Sequence, residues 1–130
     1  MKLSASVAIA IIASINAQVA TARCFVWGWG LDKAEAKAWV DFACRGNGGM
    51  FTGQYSPGQT KSMCPHSKYS GNANVKFEVE NQNKNAGFDL GDDDCVKRLY
   101  SEIDSCSWGG ESSYSGWRFR SVFILLRGQC

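Results

Sequence analysis

The cleanest pattern along the chain is the alternation of Val75, Phe77 and Val79 with Lys76, Glu78 and Glu80. A period of two with one apolar side marks a half-buried strand. Two other stretches repeat at helical spacing. In Asp32–Arg45 the residues Ala36, Val40, Ala43 and Cys44 fall on one face. Asp32 with Glu35 three positions on makes a capping-box-like start, and Gly46 marks the stop. The second helix opens at Asp92–Asp94, carries the stripe Val96, Leu99, Ile103 and Cys106, and is closed by Gly109-Gly110. Its acidic start suits the positive end of a helix dipole. Two weaker strands are predicted at Met50–Gln54, ahead of a Pro57-Gly58 turn, and at Gly116–Leu126, with Trp117, Phe119, Phe123 and Leu125 on one side. The stretch Ser107–Gly116 reads as a Gly- and Ser-rich loop. The order α-β-β-α-β predicts an α+β domain, two helices packed on a short antiparallel sheet.

The first residues change the picture of where such a domain works. Lys2, an apolar run from Val7 to Ile15 and small residues around Ala17–Ala22 form a secretory signal peptide. The run is broken by Asn16 and Gln18, short of the roughly 20 apolar residues of a membrane span. Cleavage after Ala22 fits the small-x-small rule, with Ala17 and Ala20 as alternatives, and gives residues 1–22 as leader and Arg23–Cys130 as one secreted domain. All six cysteines, Cys24, Cys44, Cys64, Cys95, Cys106 and Cys130, lie in that secreted part. In an oxidising compartment an even count reads as a disulfide framework of three bridges. Cys95 and Cys106 cannot pair with each other, because one helix separates them by roughly 16 Å. Bridges worth about 2–5 kcal/mol each are a large part of the stability of so small a domain.

Charge excludes little but narrows partners. The chain has 14 basic and 12 acidic side chains, without a basic stripe. Neither nucleic acid nor membrane insertion is expected. The segment Gly53–Lys61 imitates a phosphate loop but lacks Gly-Lys-Ser/Thr after the spacer. His66 is the one histidine, in a polar loop, and supports neither a zinc site nor a triad. Asp92–Asp94 lack the spacing of a calcium loop. Glu78 with Glu80 and Glu102 with Asp104 raise the question of a glycosidase, which needs two carboxyls about 5–9 Å apart across a sugar cleft. Alternating carboxylates on a solvated strand face are the plainer reading. No catalytic residue, metal or cofactor is expected.

The aromatic residues carry more. Five tryptophans stand in 130 residues. Trp39 on the first helix and Trp117 on the last strand suit the core. Trp27, Trp29 and Trp108 stand near glycines outside helices, where exposed rings can serve as platforms for sugar faces beside a few placed polar groups.

The runs GMFTGQYSPGQTKSMC and GNANVKFEVEN, and FDLGDDDCVKRLYSEIDSCSWGGESSYSGWRFR ahead of a final GQC, together resemble a family of small secreted fungal proteins named for the glycan-binding protein of ink-cap mushrooms. The similarity covers nearly the whole of Arg23–Cys130. It implies a disulfide-bonded α+β protein with carbohydrate recognition as its activity, and a glycan or glycoprotein as partner. Relatives close with a polar turn before the last Gly-x-Cys, whereas this chain carries Val122–Arg127, mostly apolar. That run is an aggregation hazard unless paired, or the trace of a wrongly joined exon. Side-chain chemistry nominates Trp108, Tyr114, Arg118, Trp29 and Tyr55 as glycan contacts, the first three around one loop. A secreted cysteine-rich effector or toxin acting on a host or competitor protein is the alternative, and a small hydrolase the third reading.

Overall fold

A computed structural model of the chain describes residues 21–26, 32–45, 49–68 and 74–124. Among these residues the protein is α+β, with two helices, antiparallel sheets and two disulfides between described cysteines. In chain order the elements are β1 (Thr21–Cys24), α1 (Lys33–Arg45), β2 (Gly53–Tyr55), β3 (Thr60–Met63), β4 (Asn74–Asn81), β5 (Phe88–Leu90), α2 (Asp92–Ser105), β6 (Gly109–Tyr114) and β7 (Trp117–Ile124). The expected α-β-β-α-β order therefore needs β1, β3, β5 and β6 added. A five-stranded antiparallel sheet runs β1-β6-β7-β4-β3, and β2 pairs with β5 separately.

The strong patterns form the elements they predict. In β4 burial alternates residue by residue, with Val75, Phe77 and Val79 buried. In α1 the Asp32 carboxylate accepts the Glu35 amide at 2.8 Å, an N-cap bond. Glu35 does not reach back to complete a capping box. Its carboxylate is buried and accepts the Ser67 hydroxyl at 2.7 Å and the Lys68 amide at 2.6 Å, so it ties the helix to the loop after β3. In α2 the stripe of Val96, Leu99 and Ile103 is buried together with Cys95 and Glu102. Both helices lie on one face of the sheet, where Phe77, Val79, Phe119 and Phe123 meet Val40, Leu99 and Ile103 in one core. Burying each of these large side chains is worth about 1.5–3 kcal/mol.

The stretch Ser107–Gly116 is not a loop. Gly109–Tyr114 is the strand β6, paired on one side with β1 and on the other with β7. The link to β7 is a two-residue turn in which Ser115 and Gly116 both have positive φ, 51° and 84°, the combination that suits the twist of a hairpin. Gly109-Gly110, expected as the stop of α2, instead permits close backbone approach. Gly109 has φ +82°, and a Cβ there would collide with the Ser121 carbonyl. A Cβ on Gly110 would stand 2.6 Å from the Arg23 carbonyl oxygen and 2.8 Å from Cys106 Sγ. The helix ends at Ser105, with Cys106 as its extended C-cap.

Cys24 bonds to Cys106 and Cys44 to Cys95, so the two cysteines that bracket α2 anchor it to β1 and to α1. Cys64 is disulfide-bonded as well; Cys130 lies outside the described residues. The apolar run after Ser121 is paired as far as it is described. Val122, Phe123 and Ile124 stand opposite Lys76, Val75 and Asn74 of β4, and Phe123 is buried. No helix among the described residues is long and apolar enough to cross a membrane.

Candidate functional site

The nominated residues separate when the strands are laid in register. Trp108 and Tyr114 stand at opposite ends of β6, about 20 Å apart at strand rise. They are exposed to similar degrees, 39% and 38%, yet they cannot act on one sugar ring. Arg118 is on the sheet face away from the helices, where its guanidinium donates to Glu80 at 2.8 Å and to Glu111 at 3.4 Å. It belongs to a checkerboard of charge in which Arg120 also meets Glu78 at 3.0 Å and Arg23 pairs with Glu111. Tyr55 is fully buried. Its hydroxyl donates to the Phe51 carbonyl at 2.7 Å, and Trp117 meets its ring edge-on at 4.9 Å. Burial pushes its phenol far above the usual range. A side chain so enclosed offers no contact surface, which corrects the expectation for Tyr55. Trp29 lies outside the described residues, as does Trp27.

Of the nominated residues that are described, Tyr114 lines a concavity. By strand alternation Gly110, Ser112 and Tyr114 face the helices. Between them and α2 opens a cleft of about 220 Å³ lined by Arg98, Ser101, Glu102 and Ser105 of the helix and by Ser112 and Tyr114, with Ala22–Cys24 of β1 as its third wall. The Arg98 guanidinium lies 3.6 Å from the centre of the Tyr114 ring, a cation–π contact that fixes the ring at the mouth. Among the described residues Arg98 has no carboxylate partner.

Glu102 is the unusual group in this cleft. It is only 4% exposed, and burial raises its carboxyl above the ordinary carboxylate range. The Ser112 hydroxyl opposes the rise by hydrogen bonding, and Glu111 adds to it through like charge. No cation pairs with Glu102 among the described residues. The neighbouring Glu111 moves the other way. Burial alone would raise it, but hydrogen bonds from Arg23 and Arg118 prevail and lower it. These two carboxyls are on opposite faces of β6 and do not flank a common space. Glu102 and Asp104 diverge likewise, for Asp104 is exposed and pairs with Lys37 at 2.7 Å. Glu78 and Glu80 share a face, as expected, but each is occupied by arginine. His66 places Nδ1 2.9 Å from Asn74 Oδ1 in a bridge between loop and strand. The acids at the start of α2 are exposed, with Asp93 accepting from Arg45 at 2.7 Å.

A second concavity, about 360 Å³, lies along α1 beside Ala38, Trp39 and Phe42. The one carboxylate among its described lining residues, Glu35, is already used by Ser67 and Lys68, so that lining is mainly apolar. Among the described residues, the α2–β6 cleft brings together an aromatic ring, hydroxyls and a carboxylate that no described cation pairs. Sequence reasoning missed Arg98 and Ser112 and weighed Glu102 only as half of an acid pair. The available signal was positional. Glu102 follows Leu99 by three and precedes Cys106 by four, which puts a carboxylate on the core stripe of its helix.

Comparison with protein-family models, with curated proteins and with solved structures found no match for this chain.

Proposed function

We propose that the chain is a secreted, disulfide-stabilised, non-catalytic glycan-binding protein of one α+β domain, and that the α2–β6 cleft is where it holds sugar. The observation that carries the reading is the convergence at that cleft. An exposed Tyr114 ring, steadied by Arg98 at 3.6 Å, stands beside the Ser112 hydroxyl and the Glu102 carboxyl. An apolar platform flanked by a few placed donors and acceptors is the arrangement that orients a sugar, stacking on its C–H face and bonding its hydroxyls. The leader, the cysteine framework and the resemblance to the ink-cap glycan-binding family support the same reading. Trp108, at the far end of β6, belongs to no part of this cleft.

A glycan array on the oxidised, processed protein tests the reading. Binding that falls at least about tenfold on Tyr114→Ala and persists in Trp108→Ala is expected. An array with no signal above background removes the proposal. Capture from host extracellular fluid that survives glycosidase treatment would transfer the reading to the effector alternative, with a protein as partner.

A further inference from the structure

Glu102 is an acid in want of a cation. Its side chain is nine-tenths buried, it lines an open cleft, and no described residue neutralises it. The charged groups around the cleft are otherwise engaged or turned away. On α2, Arg98 lies over the Tyr114 ring. On β1, Arg23 pairs with Glu111 of β6, which faces the other side of the sheet. A buried carboxylate that a hydroxyl bonds but no cation neutralises is costly, and a small cation that reaches it recovers part of that cost.

We propose that the cleft is a seat for a protonated primary amine, held against Glu102 with the Ser112 hydroxyl beside it and Tyr114 as the adjoining wall. One source is a sugar with a free 2-amino group, a glucosamine unit; this deepens the glycan reading and rests on it. The other source is the chain itself. If the leader is removed after Ala22, the α-amino group of Arg23 is created on the strand that walls the cleft. Ala22 stands opposite Ser112 in register. The Cys24–Cys106 bond and the Phe25 amide, which donates to Gly109 O at 2.9 Å, would hold that end in place. An N-acetylated sugar lacks the charge and gains nothing from Glu102. Because the carboxyl must be ionised, amine binding weakens on acidification, and does so at higher pH than an exposed glutamate would dictate.

The experiment uses the secreted, oxidised protein with its N-terminus determined, and compares Glu102→Gln with the parent. Titration calorimetry with glucosamine oligomers and their N-acetylated counterparts reads the first source. Amine-selective acetylation at neutral pH, followed by mass spectrometry of the terminal peptide, reads the second. Preference for the free amine, weakened at least about tenfold in Glu102→Gln, supports the inference with the sugar as source. A chain that starts at Arg23, whose terminus resists acetylation until Glu102 is replaced, supports it with the chain as source. Equal binding of both sugars, unchanged in Glu102→Gln and with an unprotected terminus, overturns the inference while leaving glycan binding intact. No binding of any sugar on calorimetry or array, with an unprotected terminus, overturns both.

Discussion

Replacing both Cys44 and Cys95 by alanine separates chain closure from packing as the origin of stability. The Cys44–Cys95 bond closes 51 residues within the 82 closed by Cys24–Cys106. In the unfolded ring the inner bond therefore joins two arms of about 51 and about 31 residues, which act in parallel as a loop of about 19. Chain-entropy arithmetic gives about 3 kcal/mol for that closure at 25 °C. The outer bond, with the inner one kept, closes about 31 residues and is worth about 4 kcal/mol. Burial ranks the two the other way, since Cys44 and Cys95 are almost fully enclosed while Cys24 is exposed. Urea unfolding of the two double variants, each with its other bonds intact, reads the difference. Closure predicts that Cys24→Ala/Cys106→Ala loses as much as Cys44→Ala/Cys95→Ala or slightly more. For the inner pair the melting point should fall by roughly 10–25 °C. An inner pair that costs several times the outer one would refute the closure account and place the stabilisation in the α1–α2 contact. An inner loss under about 1 kcal/mol would refute both.

Gly109→Ala puts a side chain where φ is +82° and the Ser121 carbonyl is in the way. The loss should exceed about 3 kcal/mol by thermal unfolding, whereas Gly116→Ala, equally strained but with open space around it, should cost less. In protein whose cleft holds no amine, from a sugar or from its own terminus, Glu102→Gln should stabilise the fold at neutral pH. The folded carboxyl holds its proton to higher pH than the unfolded one, so the native acid costs stability as pH rises above the unfolded value near 4.5. The gain should vanish below about pH 4, where both states are protonated, and a gain independent of pH between 3 and 8 would show that the charge is not its cause. Phe119→Ala, fully inside the core, should cost about 3–5 kcal/mol, measured as a lower urea midpoint at unchanged slope.

The elements legible in the sequence are those whose own side chains fix them. β4 alternates without a fault, and both helices bury the faces that their spacing marks. The short strands β2, β3 and β5 are three or four residues long, too short for a period to declare itself, and only β2 was partly foreseen, as Met50–Gln54. β1 was hidden because its residues fall in the stretch that also satisfies the rule for leader cleavage. A cut after Ala20 leaves the strand whole, and one after Ala22 removes half of it. β6 was missed because glycine serves two ends. The same Gly109-Gly110 pair that can stop a helix also permits backbones to approach closely, and only the neighbours Ser121 and Arg23 decide which use is made. The Ser115-Gly116 dipeptide was the available hairpin signal.

The site divides along the same line. Exposure of Trp108 and Tyr114 could be expected from their glycine-rich setting, but whether they cooperate depends on the conformation of the six residues between them and including Tyr114. A loop could have folded the two rings together; a strand holds them apart. Arg118 shows the complementary effect. A cationic side chain next to Trp117 looks available for a ligand until register sets Glu80 directly opposite and Glu111 within reach, and both take it. What replaces these residues comes from the neighbouring helix. Arg98 and Glu102 are four apart on α2 and reach the cleft only because the Cys24–Cys106 bond and the two glycines bring β6 against that helix. The features that read as a Gly- and Ser-rich loop thus build the wall of the cleft, and its charge is supplied by a residue on the core stripe of α2. A carboxylate held there by the Ser112 hydroxyl and by no described cation is kept only at a cost in stability, and on the proposed reading that cost makes Glu102, rather than any exposed ring, the residue on which a ligand can exert most leverage.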